Sequence, residues 1–128
     1  RLALCYIDLN RFKQINDAHG HQAGDAILMH TANAISAHIR EADMAARMGG
    51  DEFVILLDGV HNDADIQHLT TQICRAIALP LCWGNLQLQV SASLGVALYP
   101  QDGEELDELM SKADSAMFMQ KAAMLVLR

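Results

Sequence analysis

The sequence predicts an α/β protein of the α+β kind, in which one sheet is covered by helices. Three observations lead there. Residues 2–7 form a continuous apolar run, the mark of a strand buried on both faces. From 86 to 98 every even position is apolar, which is the period of a half-buried strand. Between them lie segments with helical spacing, and hairpins alternate with helical crossovers, so the order is not a pure strand–helix repeat.

In chain order, the apolar run ends at Asp8 and a polar stretch follows from 10 to 24, with Phe12 and Ile15 its only large apolar residues. Leu28, Ala32, Ile35 and Ile39 recur at helical spacing and predict a helix over about 25–40. A short strand over 44–48 meets the turn signal Gly49-Gly50, and a second buried strand covers 53–57. Ile66, Leu69, Ile73 and Ile77 mark a helix stopped near Pro80. Gly84-Asn85 is a hairpin turn, 99–103 a loop, and Leu106, Leu109, Met110, Ala113 and Met117 share one face of a last helix.

The chain has 128 residues, enough for one domain with a core and too few for two. Its formal charge is −7, and its nine Lys and Arg are scattered, which argues against a nucleic-acid polymer as partner. A nucleotide remains possible if cations bridge it to the protein. No apolar run is long enough for a membrane span. Cys5, Cys74 and Cys82 are odd in number with no CxxC pair, so they read as reduced, buried residues of a cytoplasmic protein. The seven Met residues mostly read as core.

Gly49-Gly50-Asp51-Glu52-Phe53 lies between two short strands. Glycines accept φ > 0 and let a ligand approach the backbone. Asp51 and Glu52 then put two carboxylates on an exposed tip, which by itself could be an ordinary acidic turn. Asp8, at the end of the first strand, sharpens the reading. If that strand lies beside the hairpin, Asp8, Asp51 and Glu52 converge. Such a group repels itself unless a cation joins it, and hard oxygen ligands around an open position suit Mg²⁺ shared with a phosphate.

The run Asp8-Leu-Asn-Arg-Phe-Lys-Gln-Ile-Asn-Asp-Ala-His-Gly-His-Gln-Ala-Gly-Asp25, then Arg47-Met-Gly-Gly-Asp-Glu-Phe53, resembles the signature blocks of the GGDEF family of diguanylate cyclases. Ser93-Leu-Gly-Val-Ala97, Tyr99-Pro-Gln-Asp-Gly103 and Ala113-Asp-Ser-Ala-Met-Phe118 resemble its C-terminal blocks, so the likeness covers nearly all of residues 1–128. It implies a nucleotide-cyclase-like domain with a central five-stranded mixed sheet flanked by helices. It implies condensation of two GTP into cyclic di-GMP by a homodimer, with two Mg²⁺ or Mn²⁺ per active site.

The resemblance also implies roles. Asp51 and Glu52 would be catalytic. Asp8, the Leu9 carbonyl, Asp51 and Glu52 would bind metal. Lys13, Asn16, Asp25, Gly49, Gly50 and Lys121 would bind substrate, with Asn16 and Asp25 reading guanine. Each has a plainer alternative: Asp25 as a helix cap, Asn16 as a turn residue, Lys13 and Lys121 as solvated cations. Arg40 and Asp43 resemble the family's R-x-x-D inhibitory site for the product. The alternative is an Arg favoured at a helix C-terminus with an unrelated Asp after it.

Two departures stand out. The family's D-x-L-T-x-L-x-N-R-R helix before the first strand is missing, which implies a fragment of a multidomain signalling protein with an upstream sensor domain and, as an open alternative, a downstream EAL-type domain. Leu125 stands where the family has a phosphate-touching Arg. That leaves open a second reading, a catalytically weak or inactive module that binds GTP or cyclic di-GMP and regulates a partner domain.

Overall fold

A computed structural model describes the backbone of residues 1–60 and 62–126, and within that range the side chains up to residue 122. The apolar run becomes β1 (Leu2–Asn10), followed by α1 (Phe12–His19) and α2 (His21–Ser36). The hairpin is β2 (Met44–Gly49) and β3 (Glu52–Asp58), and α3 (Asp63–Ile77) follows. A short ribbon, β4 (Leu81–Trp83) and β5 (Leu86–Leu88), precedes β6 (Ser91–Tyr99) and α4 (Leu106–Val126). The α+β class with a helix-flanked sheet holds.

Among the described residues the sheet has four strands in the order β2-β3-β1-β6, each paired antiparallel with its neighbours, in place of the five-stranded mixed sheet that the resemblance implied. The periodic segment from 86 onward supplies two strands instead of one. Leu88 and Val90 are both buried, and the Gln89 side chain turns away to donate to the Ala78 carbonyl at 2.8 Å. The chain breaks there. β5 folds back on β4 around Gly84, at φ 60, and only β6 joins the main sheet.

Alternation along β1 serves two cores. Ala3, Cys5, Ile7 and Leu9 face a large cluster with Ile27, Ile35, Ile73 and Ile77 from α2 and α3. Leu4 faces a smaller cluster with Val54, Ala97, Leu109 and Ala113, under α4, and Tyr6 packs against its edge. Burying one such Leu or Ile side chain stabilises the fold by roughly 1.5–3 kcal/mol. β6 is likewise covered on both faces. Its even positions pack on the large cluster, while Ser93, Gly95 and Ala97 lie buried on the α4 side. A Cβ on Gly95 would stand 2.1 Å from the Ala113 carbonyl oxygen, so α4 rides directly on the strand backbone.

Some expectations shift. α1 forms inside the polar stretch, because Phe12 and Ile15 both pack on the large core. α2 begins at His21, so Asp25 lies one turn inside it and is not its cap. Among the cysteines Cys5 is buried, its thiol pushed up to about 12 mainly by that burial, but Cys82 is exposed. Met29, Met44, Met48 and Met119 are exposed rather than core. α3 is capped by the Asn62 side chain, which accepts from the Asp65 amide at 2.8 Å, and Asp63 and Asp65 suit its positive end. Among the described residues no helix is long and apolar enough to cross a membrane.

Candidate functional site

β1 does lie beside the hairpin. Its register with β3 puts Asp8 directly opposite Glu52, and the Leu9 amide donates to the Asp51 carbonyl at 3.2 Å. The tip is therefore tied to the end of the first strand. Gly49 (φ 152) and Gly50 (φ 48) turn the chain in a region that side chains disfavour. Arg47 Nε donates to the Gly50 carbonyl at 2.9 Å and braces the turn from below.

Around this tip the charges are unbalanced. Asp8 Oδ2 accepts from Lys121 Nζ at 2.7 Å, while Asp8 Oδ1 is buried with no hydrogen-bond partner. The Asp51 carboxyl is pushed above its ordinary range, first by burial and then by the charge of Asp8, with Lys121 opposing. Glu52 Oε1 accepts from the Tyr6 hydroxyl at 3.1 Å. The Tyr6 hydroxyl is itself pushed up, first by burial and then by the Glu52 charge, and so stays a donor.

Among the described residues no three Asp, Glu, His or Cys side chains are already closed into a metal cage. The donor set nonetheless suits a hard cation. It offers an orphaned buried carboxylate oxygen and a second carboxylate held against the first, both of which a divalent ion would satisfy.

Asp8, Asp51, Glu52 and Lys121 thus come together. Lys13, Asn16 and Asp25 lie on the next two helices. Lys13 is exposed in the first turn of α1. Asn16 points at α2, where its Oδ1 is buried without a partner and would stand 1.9 Å from a Cβ on Gly24. Asp25 is exposed at the mouth of a cleft of about 370 Å³ between α2 and β2, lined also by Leu28, Met29, Arg47 and Phe53. Leu9 keeps its side chain in the core, so only its backbone could serve a ligand. The side chain of Leu125 lies outside the described residues.

Arg40 and Asp43 form a unit of their own. Arg40 Nη2 and Nε donate to the two Asp43 oxygens at 3.0 and 3.2 Å, and the amides of Arg40 and Asp58 also donate to that carboxylate. Arg40 Nη2 donates to the Asp58 carbonyl as well. The Asp43 side chain is fully buried and that of Arg40 is 60% exposed. Burial pushes the Asp43 carboxyl up, but these donors outweigh it and hold the group below its ordinary range. The pair closes the turn after α2 and pins the far end of β3.

Sequence reasoning missed two features. Tyr6 is one, although its place two residues before Asp8 puts it on the same face. The other is Asn10, which donates to Ser91 Oγ and accepts from Ser93 Oγ, both at 2.9 Å, locking β6 to the end of β1.

The family model for the GGDEF domain of diguanylate cyclases matches residues 1–125. The bifunctional diguanylate cyclase/cyclic di-GMP phosphodiesterase MucR of Pseudomonas aeruginosa is 42% identical over 121 residues, 94% of this chain and 18% of that protein. The cyclic di-GMP phosphodiesterase NbdA of the same organism is 37% identical, covering 94% of this chain and 15% of its own length. The chain thus spans less than a fifth of these relatives. Among solved structures, a truncated TpbB from Pseudomonas aeruginosa comprising only the GGDEF domain superposes with a TM-score of 0.91 at 37% identity, covering 95% of this chain and 72% of that one.

Proposed function

The chain belongs to the GGDEF domain family of diguanylate cyclases, and from that membership we propose that it condenses two GTP molecules into cyclic di-GMP. Each 3′-oxygen forms a bond to the α-phosphorus of the other nucleotide, the bond from that phosphorus to the bridging β-phosphate oxygen breaks, and two pyrophosphates leave. Two copies of the domain would face each other, each holding one GTP. The observation that supports this most is the meeting of Asp8, Asp51 and Glu52 at one tip, with a buried Asp8 oxygen left unpartnered.

Asp8, Asp51, Glu52 and the Leu9 carbonyl would hold Mg²⁺ or Mn²⁺, two per site. When bound, such ions neutralise phosphate charge and acidify the attacking hydroxyl. Gly49 and Gly50, lacking side chains, let the triphosphate approach the backbone of the tip. Lys121 and Lys13 contribute cationic donors to its oxygens. Asn16 and Asp25 take the guanine edge, because a carboxylate accepts both the N1–H and the amino group, a donor pair adenine lacks. Asp25 opens onto a cleft lined by Leu28 and Phe53, where the apolar walls could take one face of a base, while Asn16 lies outside that lining. No described side chain stands apart as a dedicated base, so the hydroxyl proton passes to the carboxylate cluster. Arg40 and Asp43 would bind the product as an inhibitor.

Incubation with GTP and Mg²⁺ or Mn²⁺, with cyclic di-GMP and pyrophosphate quantified, tests the proposal. Asp51→Ala should reduce synthesis by at least about a hundredfold while leaving the fold intact. A second reading, a module that binds GTP or cyclic di-GMP without turnover, is favoured by Leu125 in place of an Arg and by NbdA, whose name records only a phosphodiesterase. Nucleotide binding with no product would select it.

A further inference from the structure

We propose that Tyr6 is a positioning residue for Glu52, fixing that carboxylate for the cation at the tip; the inference rests on the cation-binding reading above. β1 brings Tyr6 and Asp8 to the same face, and the β1–β3 register pairs Tyr6 with Val54 and Asp8 with Glu52. Tyr6 is thus the diagonal cross-strand neighbour of Glu52, within reach of a long side chain. Its hydroxyl donates to Glu52 Oε1 at 3.1 Å.

The ring and the hydroxyl serve different ends. The ring packs against the cluster of Leu4, Val54, Ala97, Leu109 and Ala113 under α4. A phenylalanine would meet that need equally well. What the hydroxyl adds is the bond to Glu52, made from a side chain with only two torsions and a packed ring.

Glu52 requires such a hold. It opens β3 immediately after a turn built on two glycines with positive φ, and its own side chain has three torsions. Directly across the ladder stands Asp8, and like charges so placed repel. Left alone, Glu52 would swing toward solvent. The Tyr6 bond engages one oxygen of Glu52 and leaves Oε2 outside that bond, available to a cation. Removing a partner that orients a metal-binding carboxylate commonly lowers metal affinity by about tenfold or more.

The test is a calorimetric titration of Mn²⁺ into the protein saturated with a GTP analogue carrying a methylene bridge between the α- and β-phosphates. Tyr6→Phe should weaken Mn²⁺ binding by about tenfold, leave the analogue's affinity without metal unchanged, and have no further effect in a Glu52→Gln background. In turnover it should lower kcat with KM for GTP unmoved. Equal Mn²⁺ affinity in the parent and Tyr6→Phe overturns the positioning role, as does a loss that persists in the Glu52→Gln background. No Mn²⁺ binding by the parent overturns the cation reading itself, and the role of Tyr6 with it.

Discussion

Lys121 Nζ lies 2.7 Å from Asp8 Oδ2, an ion pair that joins the last helix to the first strand across 113 residues of sequence. The ammonium supplies positive charge where two carboxylates crowd, so free metal must compete with it, whereas a triphosphate would draw it away. Lys121→Met should therefore strengthen Mn²⁺ binding in the absence of nucleotide by several-fold, and weaken GTP binding by about tenfold, the loss of one charge-assisted contact. Paired titrations of metal and nucleotide check this. A fall in both affinities would mean that the lysine is not a competitor for the cation.

Gly24 sits where a Cβ would stand 1.9 Å from Asn16 Oδ1. That oxygen has no hydrogen-bond partner, so turning the amide aside breaks no bond made through it. Gly24→Ala also gains helix propensity of about 1 kcal/mol. The added Cβ would also meet Asn16 Cγ at 2.8 Å and the Phe12 ring at 3.2 Å, so the expected outcome is a modest loss of stability with a GTP affinity lower by about tenfold, both resolved by a urea melt and a nucleotide titration. Retained affinity would remove Asn16 from the base-reading pair.

Asp43 gives a pH signature. Its folded-state carboxyl titrates below the ordinary range despite burial, because Arg40 and two backbone amides donate to it. The stability it contributes is complete above the ordinary carboxylate value, near pH 4, and is lost as pH falls through the lower folded value. Asp43→Asn should cost about 2 kcal/mol at pH 7, with the difference from the parent shrinking below about pH 4. Denaturant unfolding at pH 7 and pH 3 measures both. A gap that widened in acid would contradict the sign of the shift.

The same pair bears on product inhibition. All of Asp43's donors come from the chain itself, so a guanine could engage this carboxylate only by displacing the Arg40 fork. The exposed face of Arg40 is the part ready to meet a phosphate or a guanine edge. The pair stands at the opposite end of the β2–β3 hairpin from the tip, roughly 20 Å away for a six-residue strand. Arg40→Ala should therefore weaken cyclic di-GMP binding at least tenfold and leave GTP binding alone. Equal cyclic di-GMP affinities in calorimetry would reduce the motif to a structural clasp.

Much of this was legible in the residues. The apolar run of β1, the glycine turn and the even-numbered periodicity before α4 fix the main elements, and Asp8 at a strand end beside an acidic hairpin foretells their meeting. What escaped has physical causes. α1 buries only Phe12 and Ile15 toward the core, too few for a visible period. The even-numbered pattern also runs unbroken through residues 89 and 90, where the strand is interrupted, so the separation of β5 from the main sheet could not be read from it. Lys121 gave no hint of Asp8, since only the fold brings them together. Tyr6 could have been found by counting back two along the strand. The mutual pairing of Arg40 and Asp43 could have been found from their three-residue spacing.

The face-swapping geometry of β1 and β3 bears on how this sequence can change. Asp8 and Glu52 share one side of the sheet, while Ile7 and Phe53, their neighbours, fill the core on the other. Adding or deleting one residue within β3 would turn Phe53 outward and drive Glu52 into the hydrocarbon interior, so such length changes should be lethal to fold and site alike. The glycine turn at Gly49 and Gly50 has open space around both residues, yet an added residue there would shift Asp51, whose carbonyl the Leu9 amide holds. Length is thus fixed from both sides, by the core beneath the ladder and by the tip above it, and lineages of this domain should gain or lose residues outside this hairpin.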